Sequence, residues 1–124
     1  MLQYEELRLR LINHEKTLDD LSEALGLDKM KEEIAQLEKE QTVDGFWDDI
    51  ANSQKVVQRT SNLKSKVAAY EKLRQDYDDA LVMIELSNEE EDEGMLDECT
   101  ESVEKFESDL DTMTELRSAG YQIP

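Results

Sequence analysis

Few residues in this 124-residue chain are of types that carry chemistry. There is one His, His14, and one Cys, Cys99. A zinc site normally gathers several N and S ligands, and one of each cannot supply them. His14 is read instead as a polar position on a helix seam that sets register, or as an edge residue of a bundle. Cys99 stands between Leu96 and Val103 on one helical face. Its neighbours Asp97, Glu98 and Glu101 disfavour a thiolate, so an inert buried thiol is expected. The run Glu89-Glu90-Glu91-Asp92-Glu93 offers oxygen ligands. It lacks the alternating spacing and central Gly of a calcium loop, and like charges in a row favour a solvated loop. No Gly-rich phosphate loop, GxSxG or HExxH occurs. No catalytic residue, cofactor or metal is therefore expected.

Phe46 and Trp47 are the remaining candidates. They stand side by side in the turn Gly45-Phe46-Trp47-Asp48-Asp49, and the chain holds a single Trp and two Phe. Aromatic side chains dominate interface hot spots, so the pair could hold a partner. An aromatic pair between amphipathic helices more commonly folds back onto the core. Both are read here as structural anchors, and Trp47→Ala is expected to cost roughly 3–5 kcal/mol. Tyr70 and Tyr77 lie one heptad apart and read as core or core-edge residues with their hydroxyls reaching water.

The elements that position these residues are helices. Leu7, Leu11, His14, Leu18, Leu21 and Leu25 alternate in fours and threes. That seam predicts a first helix over residues 3–25, with Gly26 as its left-handed stop. A second helix is expected from Asp28, its N-cap, with Leu27, Met30, Ile34 and Leu37 on its seam. Asp48 or Asp49 should cap the third and longest, whose seam runs Val56, Thr60, Leu63, Val67, Tyr70, Arg74, Tyr77, Leu81, Ile84. It should end at Ser87-Asn88. A fourth is expected from Met95 to Arg117 through Leu96, Cys99, Val103, Phe106, Leu110 and Met113. The only Pro is Pro124, so nothing kinks the interior. The fold class that follows is all-α: an antiparallel helical bundle in which two shorter helices pack on a long helical hairpin. One domain over residues 1–117 and a flexible tail over 118–124 are expected.

Charge narrows the partners. Asp and Glu number 32 against 14 Lys and Arg, a net charge of −18. Binding to a nucleic-acid backbone rests on cations, so direct binding is not expected, nor is an anionic membrane surface. A basic protein partner fits. One Cys, no secretory pattern and no long apolar run point to a cytoplasmic protein.

The block LDKMKEEIAQLEKEQTVDGFWDD, followed by NSQKVVQRTSNLKSKVAAYEKL, resembles the amino-terminal domain of bacterial class I peptide chain release factors. The matching positions are Phe46, Trp47, Asp48, Asp49, Ala51, Lys55, Leu63, Lys64, Val67, Tyr70, Glu71, Lys72 and Leu73. An acidic loop, an acidic helix and Glu115-Leu116-Arg117 follow in the family's order. The resemblance covers about Met1 to Arg117. It implies a ribosome-contacting domain of a termination factor, and a monomer is expected. In the family this domain sits at the large-subunit stalk base, near protein L11 and the GTPase-associated centre. Neither the codon-reading Ser-Pro-Phe nor the hydrolytic Gly-Gly-Gln occurs here. The chain is thus expected to be an excised domain, a truncated copy or a shortened relative, non-catalytic alone. A coiled-coil scaffold dimerising through the same seams is the rival reading, and a truncated decoy competing with a full-length factor is another.

Overall fold

The computed structural model describes residues 1–120. Every regular element among them is helical: α1 (Leu2–Ile12), α2 (Glu15–Leu25), α3 (Leu27–Glu40), α4 (Ile50–Glu89) and α5 (Leu96–Ser118). Short 3-10 turns at Phe46–Asp48 and Glu93–Met95 precede α4 and α5. The all-α bundle expected from the seams is present, with three short helices on the hairpin rather than two.

The extra helix comes from a break at Asn13-His14. The apolar spacing runs through it unchanged, so periodicity alone reads one helix. The His14 N–H bonds to the Leu11 carbonyl at 3.0 Å, three residues back rather than four. Asn13 and His14 both keep right-handed dihedrals, so the chain tightens without turning away. Tyr4, Leu7, Leu11, Leu18 and Leu21 stay buried on one side of the joint.

Gly26 makes the next break, and a sharper one. Its φ of 68° is left-handed, and it ends α2 and starts α3 at once. Asp28, expected as the N-cap, lies instead in the first turn of α3. A carboxylate still suits the positive end of the helix dipole there.

The helix α4 has 40 residues, about 60 Å at 1.5 Å per residue. The short helices run along it in jointed succession. Arg8 of α1 reaches Glu85, Arg74 reaches Asp19 of α2, and Lys64 reaches Glu38 of α3. On its other flank α5 folds back antiparallel, with Phe106 edge-on to Tyr77 at 5.5 Å and Cys99 beside Ser87. The core lies where α1, α2, α4 and α5 meet, joined by Leu27 at the start of α3, and runs through Val67, Tyr70, Leu73, Tyr77, Ala80 and Ile84 of α4. The end of α5 lies beside Ala69 and Leu73. The first third of α4 therefore has α3 and the Phe46 turn as its cover. Val56, Leu63 and Phe46 are buried there, outside the main core.

Polar residues on the α4 seam are satisfied locally. The Thr60 hydroxyl donates to the Val56 carbonyl at 2.7 Å and accepts from Gln41 at 3.1 Å. Ser53 donates to the Ile50 carbonyl at 2.9 Å. Bonding back one turn is the usual way a helix hides a hydroxyl. Arg74, placed on the seam by its spacing, is half-buried. It lies 5.3 Å over the Tyr77 ring and carries its charge out to Asp19 at 3.2 Å. Long cationic side chains can follow a seam in this way, with the stem packed and the head in water.

The 89–94 acidic stretch is an exposed but ordered turn. The Asp92 N–H bonds to the Ser87 carbonyl at 3.0 Å, and the Asp92 side chain accepts from the Gly94 N–H at 2.9 Å. Ser118, expected in a flexible tail, closes α5. Of the rest of that expectation, Ala119 and Gly120 form a turn after α5, and residues 121–124 lie outside the described residues.

Candidate functional site

The turn before α4 is built from several mutually supporting bonds. Gly45 takes a φ of 83°, which an L side chain rarely adopts. The Phe46 N–H reaches the Val43 carbonyl at 3.1 Å, and the Asp48 N–H reaches the Gly45 carbonyl at 3.1 Å. Asp49 then caps α4 by accepting from the Asn52 N–H at 3.1 Å. A carboxylate at this position meets one of the unpaired donors of the first helical turn and opposes the dipole.

This geometry separates the two aromatics. Phe46 is buried, at 9% exposure, and Trp47 is 58% exposed. The rings meet edge-to-face with centroids 4.8 Å apart. The expectation that both rings plug the bundle fails for Trp47. Trp47 instead forms a wall of an open groove of about 850 Å³ along the first turns of α4. Ser53, Gln54, Gln58, Val57 and Lys55 line it further, and no carboxylate does. Val43 and Ile50, beside it in sequence, are also exposed. Arg59, at the groove's far end, is held by Glu33 at 2.6 Å.

The other candidates do not gather around this groove. His14 Nε2 lies 2.7 Å from Glu107 on α5, at the α1–α2 joint. Arg10 grips the same carboxylate, with its Nε 3.0 Å from Oε2. These bonds, Arg10 foremost, hold the Glu107 carboxyl below the ordinary range, although burial pulls the other way. The cluster ties α1 to α5. Cys99 is fully buried, and burial pushes its thiol above the ordinary range. The Tyr70 hydroxyl, expected in water, donates to the Leu18 carbonyl at 3.0 Å inside the core. Among the described residues no group of three His, Cys, Asp or Glu could hold a metal ion. Their helices include none long and apolar enough to cross a membrane.

Tyr4 is a buried residue absent from the seam as read above. Its hydroxyl donates to the Asp92 carbonyl, which ties α1 to the α4–α5 turn. The signal was present, because Tyr4 lies three residues before Leu7 and extends the same alternation.

These elements define an acidic all-α module whose most organised surface feature is a rigid aromatic turn. Comparison with known proteins agrees with the family resemblance of the sequence. The PCRF domain family matches residues 30–119, so the chain belongs to that family. Among curated relatives, peptide chain release factor 2 of an Exiguobacterium species is 32% identical over 110 residues, which cover 89% of this chain and 30% of the relative. The same-named protein of Staphylococcus epidermidis is 30% identical over 110 residues, with the same shares. That of Streptomyces avermitilis is 32% identical over 97 residues, covering 78% of this chain and 26% of the relative. The chain thus spans about 30% of the length of the curated relatives it matches. No solved structure gives a significant match.

Proposed function

We propose that this chain serves translation termination as a ribosome-contacting helical module that neither reads a stop codon nor releases a peptide. The observation that carries this reading is the match to peptide chain release factor 2 over nearly the whole chain but under a third of the relative. The sequence contains neither Gly-Gly-Gln nor Ser-Pro-Phe, the tripeptides that the resemblance ties to hydrolysis and codon reading. The contact is at the stalk base of the large subunit, near protein L11, in the cytoplasm. A net charge of −18 favours a basic protein surface there over bare RNA. The module acts as a monomer, because its apolar seams are spent inside the molecule. That use of the seams disfavours the coiled-coil scaffold, which needs them for a second copy.

Pelleting with bacterial 70S ribosomes tests the proposal. The chain should co-sediment, and less of it should do so as salt rises. It should also slow peptide release by a full-length release factor 2 when in excess. No co-sedimentation at low salt would sink the reading.

A further inference from the structure

We infer that the open flank of α4 beside Trp47 binds an RNA strand, with the indole as a stacking surface and Lys55 and Lys66 meeting phosphates. This contact rests on the ribosome reading and deepens it: beside an acidic body that suits basic protein, the module carries one strip of opposite preference. The expectation that it meets no nucleic acid rests on the sum of its charges, and the sum hides where they stand.

Residues 50–70 hold Lys55, Arg59, Lys64 and Lys66 and none of the chain's 32 Asp and Glu. On other stretches of helix, Lys16, Lys72 and Lys105 each pair with an Asp four residues on, at 2.6 to 2.9 Å. Such pairs need an acid one turn away. Lys55 has Ala51, Asn52, Gln58 and Arg59 at those positions, and Lys66 has Asn62, Leu63, Ala69 and Tyr70. Arg59 and Lys64 are met from α3 by Glu33 and Glu38. Among the described residues neither Lys55 nor Lys66 has an ion-pair partner, so two cations of this stretch are left for an outside anion.

These cations form a continuous strip. Residues 55, 58, 62 and 66 recur in threes and fours, so they share one face of α4 over about 16 Å. Lys55, Gln58 and Asn62 line the groove that Trp47 walls, and the Asn62 side-chain oxygen accepts from the Gln58 amide at 2.9 Å. Ala69, three residues past Lys66, lies beside Leu116 at the end of α5. The strip is therefore the flank of α4 that α5 covers higher up and leaves bare below.

A cationic groove with an aromatic wall is the arrangement that holds unpaired nucleotides, the backbone following the charges while a base stacks on the ring. Trp47 is exposed, and Phe46 meets its ring edge-to-face, so the ring is placed before a partner arrives. The amides of Gln58 and Asn62 both donate and accept, as base edges and riboses require. The carboxylates that follow the indole in sequence have other tasks. Asp48 Oδ2 lies over Gly45, within 3.6 Å of an added Cβ, and Asp49 accepts from the Asn52 N–H. Neither lines the groove. The acidic remainder of the molecule repels phosphate, which weakens the contact and orients it, because only this flank can approach.

Trp47 is the only Trp, so its fluorescence reports the contact directly. Deproteinised large-subunit ribosomal RNA, titrated into the whole chain at low salt, should quench it. Lys55→Glu combined with Lys66→Glu should weaken binding by about tenfold or more, and should lower the salt dependence of the binding constant by about one power per lysine. Trp47→Ala, followed by co-sedimentation, should weaken it by about tenfold through lost stacking. Lys16→Glu combined with Lys105→Glu changes the net charge equally and should weaken binding far less. Circular dichroism checks that each variant is folded. Equal loss in the two charge-reversed pairs would overturn the strip and leave the ribosome reading standing. Binding to 70S ribosomes that depends on Lys55 and Lys66, with none to the RNA, would overturn the RNA occupant in favour of an acidic protein. Failure of the unaltered chain to bind 70S ribosomes would overturn the ribosome reading and this contact with it.

Discussion

At the scale of the residue, neighbours with similar chemistry have different tasks. Phe46 faces inward and Trp47 outward, so their truncations should differ. Phe46→Ala should cost about 3 kcal/mol. Trp47→Ala should cost no more than about 1 kcal/mol, mainly through the lost edge-to-face contact. That replaces the larger cost predicted from sequence. Urea unfolding followed by circular dichroism would measure both, and equal costs would show that Trp47 packs more than its exposure implies. Cys99 differs in the same way from a reactive thiol. It is buried, its thiol is shifted upward by that burial, and it lies 3.8 Å from the Ser87 hydroxyl. Labelling by a thiol reagent should be slow in the folded protein and fast in urea, as followed by mass spectrometry.

At the scale of the element, the joints matter more than the helices. The α1–α2 break at Asn13-His14 is braced by Arg10 and His14, which converge on Glu107 of α5. The Glu107 carboxyl is held below the ordinary range in the fold, chiefly by Arg10. A carboxylate depressed by folding contributes stability that is fully present above its unfolded value of about 4.3. That contribution is lost as pH falls through the lower folded value. Glu107→Gln should therefore lower the Tm at neutral pH and lower it less at about pH 2, as protonation of Glu107 removes the charge that Arg10 and His14 meet. Thermal melts at the two pH values decide it. An undiminished gap in acid would mean that shape, not charge, joins α1 to α5.

At the scale of the whole molecule, cover is uneven along α4. Its second half is enclosed by α1, α2 and α5, whereas its first third rests on α3 and the Phe46 turn. Local stability follows buried apolar contact, so the two parts should open with different free energies. Amide hydrogens around Val56 to Leu63 should exchange sooner than those around Tyr77 to Ile84. Exchange followed by NMR or mass spectrometry would show this, and uniform protection would argue that α4 opens as one unit.

Much of the fold was legible in the residues themselves. The alternation of threes and fours marked α4 and α5 nearly to their ends, and Gly26 and the Asp48-Asp49 pair marked two helix boundaries, the second of which the structure assigns to Asp49. These are local facts, set by helical periodicity and by the dihedral and hydrogen-bond needs of a chain within one or two turns. The break at Asn13-His14 left no such mark, because it preserves the spacing on which the reading depends. The candidate site was half legible. The Phe46-Trp47 turn stood out by composition, but which ring would face water did not. That depends on how much space α3 and α4 leave between them, which no local pattern encodes. The convergence of Arg10, His14 and Glu107 is of the same kind, because it joins residues over 90 positions apart in the chain. Sequence alone determined the helical periodicity, the charge and the family. Tertiary packing alone decided which side chains were left over for a partner, because exposure is settled only after every seam has found its cover.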